Sequence, residues 1–151
     1  MATVTKASVR YEDDLFAWTQ EQAALLRAHA ASIDWEHLAE EIESMGARDR
    51  RKLESRLTVI LLHLLKWQAQ PALRGASWRK TLRTQRREIR KLLKQSPSLR
   101  REVPTLMRDA YADAVKDAID ETDLRADVFP SACPYAPGDV LDEDHLPATD
   151  L

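Results

Sequence analysis

At 151 residues the chain is long enough to bury a hydrophobic core without disulfides or a structural metal. A lone cysteine, Cys133, excludes an intrachain disulfide and a multi-cysteine zinc site, and the longest strongly apolar stretch, residues 57–65, is far shorter than the roughly 20 residues of a membrane helix. The net charge of −2, the hydrophobic content of 44% and the presence of only three glycines are typical of a water-soluble helical protein, and the lack of an apolar leader predicts a cytoplasmic location.

Two helices are predicted in the N-terminal part of the chain. The pair Asp13–Asp14 can cap a first helix that runs to about Ala31, and Asp34 can cap a second one. Gly46 is a helix-stopping residue type, but the helical pattern resumes after it without a proline or a turn cluster. We therefore expect one long helix over residues 35–69.

Two further helices are predicted in the second half of the chain. Ser77 is expected to cap a third helix that ends near residue 95. The fourth helix is expected to begin at Ser96 and to run to about Glu121. Because proline inside a helix removes a hydrogen bond, Pro104 is expected to bend or split it.

These elements define an all-α fold, a single-domain helical bundle of about five helices over residues 1–151. The core is expected over about residues 11–122, with the segment 53–69 at its centre. Residues 123–151 are too rich in proline for a long helix. We therefore expect an extended, proline-containing tail with at most a short helical turn near residues 139–143.

A polar cluster is predicted where the long helix meets the third helix. Antiparallel packing after a turn near residue 73 places residue 63 opposite about residue 84. A single histidine in such an apolar run is usually a neutral core residue, and the alternatives are a metal ligand or a general base. We expect a buried polar network that fixes this helix pairing, with a small-ligand pocket as the minority alternative. The candidate residues are His63, Trp67, Gln70, Ser77, Trp78 and Gln85.

No catalytic residue, metal site or cofactor is assigned from the sequence, and enzymatic activity is left open. His63 and Glu41 lie about 33 Å apart on a continuous helix, which is too far to share one ion. Asp34, His37 and Glu41 share a helix face, but a single triplet lacks the second glutamate and histidine pair of di-iron bundles. A helix cap and a solvated flank are therefore favoured for these three residues.

The third helix carries the candidate surface for an anionic partner. Charge is segregated along the chain, with −2 over residues 1–73, +10 over residues 74–108 and −10 over residues 109–151. A basic face can bind phosphates, be neutralised by the acidic part of the same chain, or remain solvated. No exposed aromatic side chain is expected among the arginines to stack on bases, and the acidic fourth helix and tail can lie across the arginines. We therefore favour internal neutralisation. The candidate residues are Arg79, Arg83, Arg86, Arg87 and Arg90.

Several separate sequence blocks resemble those of the bacterial family known as domain of unknown function 29. The blocks include "YEDDLFAWTQEQAALLR", "LAEEIESMG", "LLHLLKWQAQP", "SWRKTLRTQRREI", "SPSL", "FPSACPY" and "LDEDHLP". They occur in order from Tyr11 to Pro147, so the resemblance covers nearly the whole chain. It implies a compact, mostly helical bacterial protein and implies no activity.

Three functional hypotheses follow from the sequence. We place first a non-enzymatic interaction or regulatory protein that acts through helical surfaces, with a protein partner or a homo-oligomer. The second is a nucleic-acid or polyanion binder that uses the helix over residues 77–95, and the third is an enzyme or small-ligand binder that uses His63, Gln70 and Trp78. Coverage of the arginine face by residues 109–151 separates the first two hypotheses, because an exposed face moves the nucleic-acid binder to first place. No membrane partner is expected.

Overall fold

The computed structural model describes residues 9–28 and 35–151. The described residues contain five α-helices and no strand, which confirms the predicted all-α fold. The helices are α1 (Leu15–Ala28), α2 (Trp35–Ala69), α3 (Ala76–Gln95), α4 (Val103–Thr122) and α5 (Pro137–Leu141). Short 3-10 turns lie at Pro71–Leu73, Pro97–Glu102 and Ala126–Val128.

The second half of α2 is the centre of the molecule, as predicted. Helices α1, α3 and α4 all pack against α2. Helix α3 runs antiparallel to α2, since Arg56 bonds to Gln85 while Lys66 lies over the ring of Trp78. The fully buried side chains of this α2 segment are Leu53, Leu57, Ile60, Leu61, Leu64 and Leu65. Their apolar burial is the main source of the stability of the bundle.

Helix α2 passes through Gly46 without interruption, and the expectation of one helix over residues 35–69 is confirmed. Gly46 is buried where α1 crosses α2. A Cβ atom at this position would overlap Thr19 Oγ1 and would lie 3.3 Å from the ring of Phe16. The glycine therefore allows two helices to approach closely and does not end the helix.

The helix ends differ from the predicted ones at several points. Asp14 caps α1 by accepting a hydrogen bond from the Ala17 N–H at 2.8 Å, as predicted. The predicted end of this helix at Ala31 and the Asp34 cap lie outside the described residues. The Ser77 cap is wrong, because α3 begins at Ala76 after an extended Gly75, whose carbonyl accepts the Arg79 N–H.

The expected split near Pro104 is confirmed. Residues Pro97–Glu102 form a 3-10 turn, and α4 begins only at Val103 with Pro104 in its first turn. A proline is tolerated there because the first amides of a helix have no intrahelical acceptor. Asp123, with φ 55°, ends α4 in the left-handed region.

The C-terminal segment is mostly irregular, as predicted, but it packs onto the bundle. Phe129 and Val140 are buried in the same apolar cluster as the α2 leucines. Gln68 of α2 binds the segment at two places: its Nε2 donates to the Thr149 carbonyl at 2.8 Å, and its Oε1 accepts the Tyr135 hydroxyl at 2.5 Å. The segment 123–151 thus contributes side chains to the hydrophobic core.

No helix of the described residues is long and apolar enough to cross a bilayer.

Candidate cationic surface and polar junction

The two tryptophans of the predicted cluster lie at the same α2–α3 junction. Lys66 Nζ sits 4.9 Å from the centroid of the Trp78 ring and donates to Glu121 Oε2 at 2.6 Å. The guanidinium groups of Arg74 and Arg79 each lie 5.3 Å from the centroid of the Trp67 ring. Each of the two indole rings therefore has a cation over it, and each such pair adds about 0.5–2 kcal/mol.

His63 is half-buried on α2 and bonds to its own helix. Its Nδ1 lies 2.8 Å from the Val59 carbonyl oxygen, so Nδ1 donates and Nε2 carries the lone pair in the neutral ring. Burial lowers the pKa of His63 below its ordinary 6.5, and the nearby Lys66 acts in the same direction. His63 lines none of five cavities along the described residues. These features fit a neutral structural histidine.

The predicted polar network does not form as a connected set. No side-chain hydrogen bond joins any two of its six candidate residues, all of which the structure describes. Gln85 accepts from Arg56 at 3.0 Å, Ser77 is exposed, and the Gln70 N–H donates to the Lys66 carbonyl. Gln68, which is not one of the six predicted residues, is the buried glutamine of this region.

We expect His63 to make the fold less stable as the pH falls. Because its pKa is lowered in the folded protein, the unfolded chain binds the proton more readily. The stability that His63 contributes is therefore complete above pH 6.5 and declines as the pH falls below that value. Urea unfolding between pH 7.5 and 5 should show a smaller decline for His63→Gln than for the unchanged chain, and parallel profiles would contradict this assignment.

Arg86 is not part of an exposed ridge, and its predicted exposure is wrong. Only 2% of the residue is exposed. Its Nε donates to the Val140 carbonyl and one Nη to the His145 carbonyl, both at 2.9 Å, with longer bonds of 3.3 Å to the carbonyls of Asp139 and Glu143. Four backbone acceptors of the C-terminal segment thus hold one guanidinium, and desolvation lowers its pKa without removing its charge at neutral pH.

The C-terminal segment also neutralises one edge of α3. Arg90 donates to Glu143 Oε2 at 2.6 Å. This bond lowers the pKa of Glu143, and the charges of Arg87 and Arg83 act in the same direction. The acidic face of α4 forms no ion pair with α3 among the described residues. Its Glu121 pairs instead with Lys66 of α2. The predicted internal neutralisation is therefore partial. Arg90 pairs with Glu143 and, next to α3, Arg74 pairs with Asp150, whereas Arg86 is held by backbone carbonyls.

The rest of the α3 face is cationic and open to solvent. It includes a shallow groove of about 370 Å³ with four cations in its wall. Within the described part of the chain these four form no salt bridge with a carboxylate, although Arg83 and Arg87 act on Glu143 at longer range and Arg79 also contacts Trp67. They are Arg79, Lys80, Arg83 and Arg87. This set, the α3 cationic face, can hold anionic groups by charge and by guanidinium hydrogen bonds.

No group of three or more histidine, cysteine, aspartate or glutamate side chains is placed to hold a metal ion within the described ranges. Cys133 is half-buried, and burial raises the pKa of its thiol. A raised pKa disfavours the thiolate, which is the reactive form.

The helical architecture and this surface define an all-α bundle protein. The family described as domain of unknown function DUF29 matches residues 10–146, so the chain belongs to that family. A crystal structure of an alpha-helical protein of unknown function from Rhodospirillum rubrum ATCC 11170 is similar, with 30% sequence identity and a TM-score of 0.68. The likeness covers 91% of this chain and 92% of that one. No curated protein matches the chain.

Proposed function

We propose that the protein is a non-enzymatic binding module whose α3 cationic face binds duplex nucleic acid through its phosphates. The observation that supports this proposal is the exposure of four α3 cations that form no salt bridge among the described residues, beside an edge that the C-terminal segment has already neutralised. A local excess of one charge creates a surface potential that attracts partners of the opposite charge. The proposal thus narrows the hypothesis of a non-enzymatic interaction protein to one that binds an anionic partner.

The distribution of charge on α3 suits a helix that approaches a duplex. Glu88, the one carboxylate of this helix, pairs with Lys91 at 2.8 Å and faces Arg56 of α2, away from the α3 cationic face. Arg79 and Arg83 lie along one edge of that face, and Lys80 lies along the other. Because the major groove is about 12 Å wide and admits a helix, cations on both edges are placed to contact phosphates of both strands.

Single-stranded nucleic acid fits the surface less well. Binding of single strands relies on aromatic side chains that stack on bases. Trp78 is the aromatic residue of α3, and the Lys66 ammonium group lies over its ring, where a base would have to stack. We therefore propose contacts to the sugar-phosphate backbone without base stacking, and hence little dependence on sequence. The alternative of an enzyme or ligand site at His63, Gln70 and Trp78 gains no support from a shared cavity.

The test is the salt dependence of binding to a fluorescent duplex of about 20 base pairs. The variant Arg79→Ala/Arg83→Ala/Arg87→Ala should bind more weakly, and the slope of log K against log salt should fall in magnitude by about 2 to 3. A matched control, Arg108→Ala/Lys116→Ala/Arg125→Ala, removes three exposed cations from elsewhere and should keep most of the slope. No binding by the unchanged chain in low salt, or equal slopes for both variants, would overturn the proposal.

We further propose that the protein works in the bacterial cytosol. The family resemblance implies a bacterial source, and the lone, half-buried thiol of Cys133 suits a reducing compartment. A nucleic-acid partner is accessible there.

A further inference from the structure

One face of α2 is exposed although it carries large apolar side chains. Helix α1 packs on the Gly46 side of α2, and residues on the opposite side face solvent. Leu38 is 45% exposed and Met45 is 42% exposed, and the two lie along one edge of this face. Exposed apolar side chains in a row often mark a protein interface.

The charges on this face are arranged about Met45. Glu40 and Glu41 precede it and Arg48 and Arg51 follow it, and all four are exposed. None of the four has an ion-pair partner among the described residues. Glu41 and Arg48 are seven residues apart, so they share a line on the helix, about 10.5 Å from each other. Glu40 and Arg51 are eleven residues apart, or about 16.5 Å, and share a second line.

We propose that two copies of the chain form a symmetric dimer in which their α2 helices pack antiparallel and cross at Met45. Both charge pairs have their midpoints next to Met45 in the sequence. A two-fold axis at that point therefore brings Glu41 opposite Arg48 of the partner subunit and Glu40 opposite Arg51 of the partner subunit. Each pair occurs twice, because a two-fold interface is isologous.

The same symmetry matches the apolar edges. A two-fold axis perpendicular to both antiparallel helices brings like edges together. On one edge Met45 then meets Met45 of the partner subunit, and Leu38 lies level with Lys52 of the partner subunit, whose aliphatic stem it can cover. The Glu40 and Arg51 edges meet on the other side. Apolar contact thus supplies burial, and the charge pairs set the antiparallel orientation.

A neighbouring groove extends this face toward α3. It has a volume of about 470 Å³, and its wall includes Arg48, Arg51, Lys52 and Arg56. In the antiparallel dimer the groove receives the N-terminal, acidic half of the partner's α2. A second copy therefore complements the groove in charge as well as the exposed edge. This interface does not use the α3 cationic face, so it is independent of the proposed function.

The experiment measures mass by sedimentation equilibrium and native mass spectrometry. The unchanged chain should have twice its monomer mass of 17.3 kDa. Glu40→Arg/Glu41→Arg makes all four of these positions basic and Arg48→Glu/Arg51→Glu makes all four acidic, and each variant alone should dimerise at least about 100-fold more weakly. Mixed together, the two should form a heterodimer with all four charge pairs restored. The chain with all four substitutions should dimerise again.

A matched control reverses two charges on another helix. Asp113→Arg/Asp117→Arg on α4 changes exposed residues outside the face and should leave the dimer intact. Circular dichroism of each variant establishes that it is folded. A monomeric mass for the unchanged chain at about 100 µM, or failure of the two complementary variants to combine, overturns the dimer. The proposal is also overturned if Glu40→Arg/Glu41→Arg and Arg48→Glu/Arg51→Glu both remain dimeric on their own, because the interface would then lie elsewhere.

Discussion

Replacement of Arg86 by alanine should destabilise the protein by about 3 to 5 kcal/mol and release the C-terminal segment. The substitution removes four hydrogen bonds from a charged donor and leaves the carbonyls of Asp139, Val140, Glu143 and His145 without that partner. Buried carbonyls that lose a donor pay a desolvation cost. Urea unfolding should show the loss, and amide hydrogen exchange should accelerate over residues 137–146.

Arg87→Ala is the matched control for this result. Arg87 is the next residue along α3 and is exposed, so its removal should change the free energy of unfolding by no more than about 0.5 kcal/mol. The free energy of unfolding of Arg86→Lys should lie between those of the two alanine variants, because lysine keeps the charge but cannot present the planar set of donors. A loss below about 1 kcal/mol for Arg86→Ala, with unchanged exchange in the C-terminal segment, would contradict the importance of these bonds.

Leu61→Ala should cost about 3 to 5 kcal/mol, because it leaves a cavity at the centre of the bundle. Leu61 is fully buried in α2, against which α1, α3 and α4 pack. Such a loss is a large part of the total stability of a domain of this size, which is about 5–15 kcal/mol. The thermal midpoint and the urea midpoint should both fall.

Val59→Ala is the matched control for Leu61→Ala, because it shortens an apolar side chain on the same helix at a less buried position. Val59 is half-buried in the wall of the groove beside α3, so its shortened side chain should cost less than about 1 kcal/mol. Similar losses for Val59→Ala and Leu61→Ala would show that the buried side of α2 has been assigned incorrectly.

Most of the helical architecture could be predicted because it depends on local pattern. The long α2, the split near Pro104 and the short helix at Pro137–Leu141 follow from apolar spacing and proline chemistry. The helix start at Ala76 could not be predicted, because serine is a preferred N-cap residue and Ser77 lies close by. The extended backbone of Gly75 decides the boundary instead. Helix boundaries depend on backbone geometry that side-chain preferences determine only weakly.

The environment of Arg86 was mispredicted for a different reason. Arg86 aligns with Arg79, Arg83 and Arg90 at helical spacing, but it also follows Leu82 by four residues and precedes Ile89 by three. That second pattern places Arg86 on the buried stripe, and it is a signal that the sequence contains. Its partners are backbone carbonyls, which have no residue-specific signature, so their identity needed the folded C-terminal segment. The same is true of Gln68 and the Thr149 carbonyl.

The distance along the chain between Arg86 and its acceptors has a consequence for biosynthesis. His145 follows Arg86 by 59 residues, so at 5–20 residues per second a ribosome adds it roughly 3 to 12 s later. During that interval the nascent chain has made α3 but not the carbonyls that will surround its central guanidinium. Packing of α2, α3 and α4 can therefore begin before the acceptors of Arg86 have been synthesised, and closure around Arg86 has to follow it.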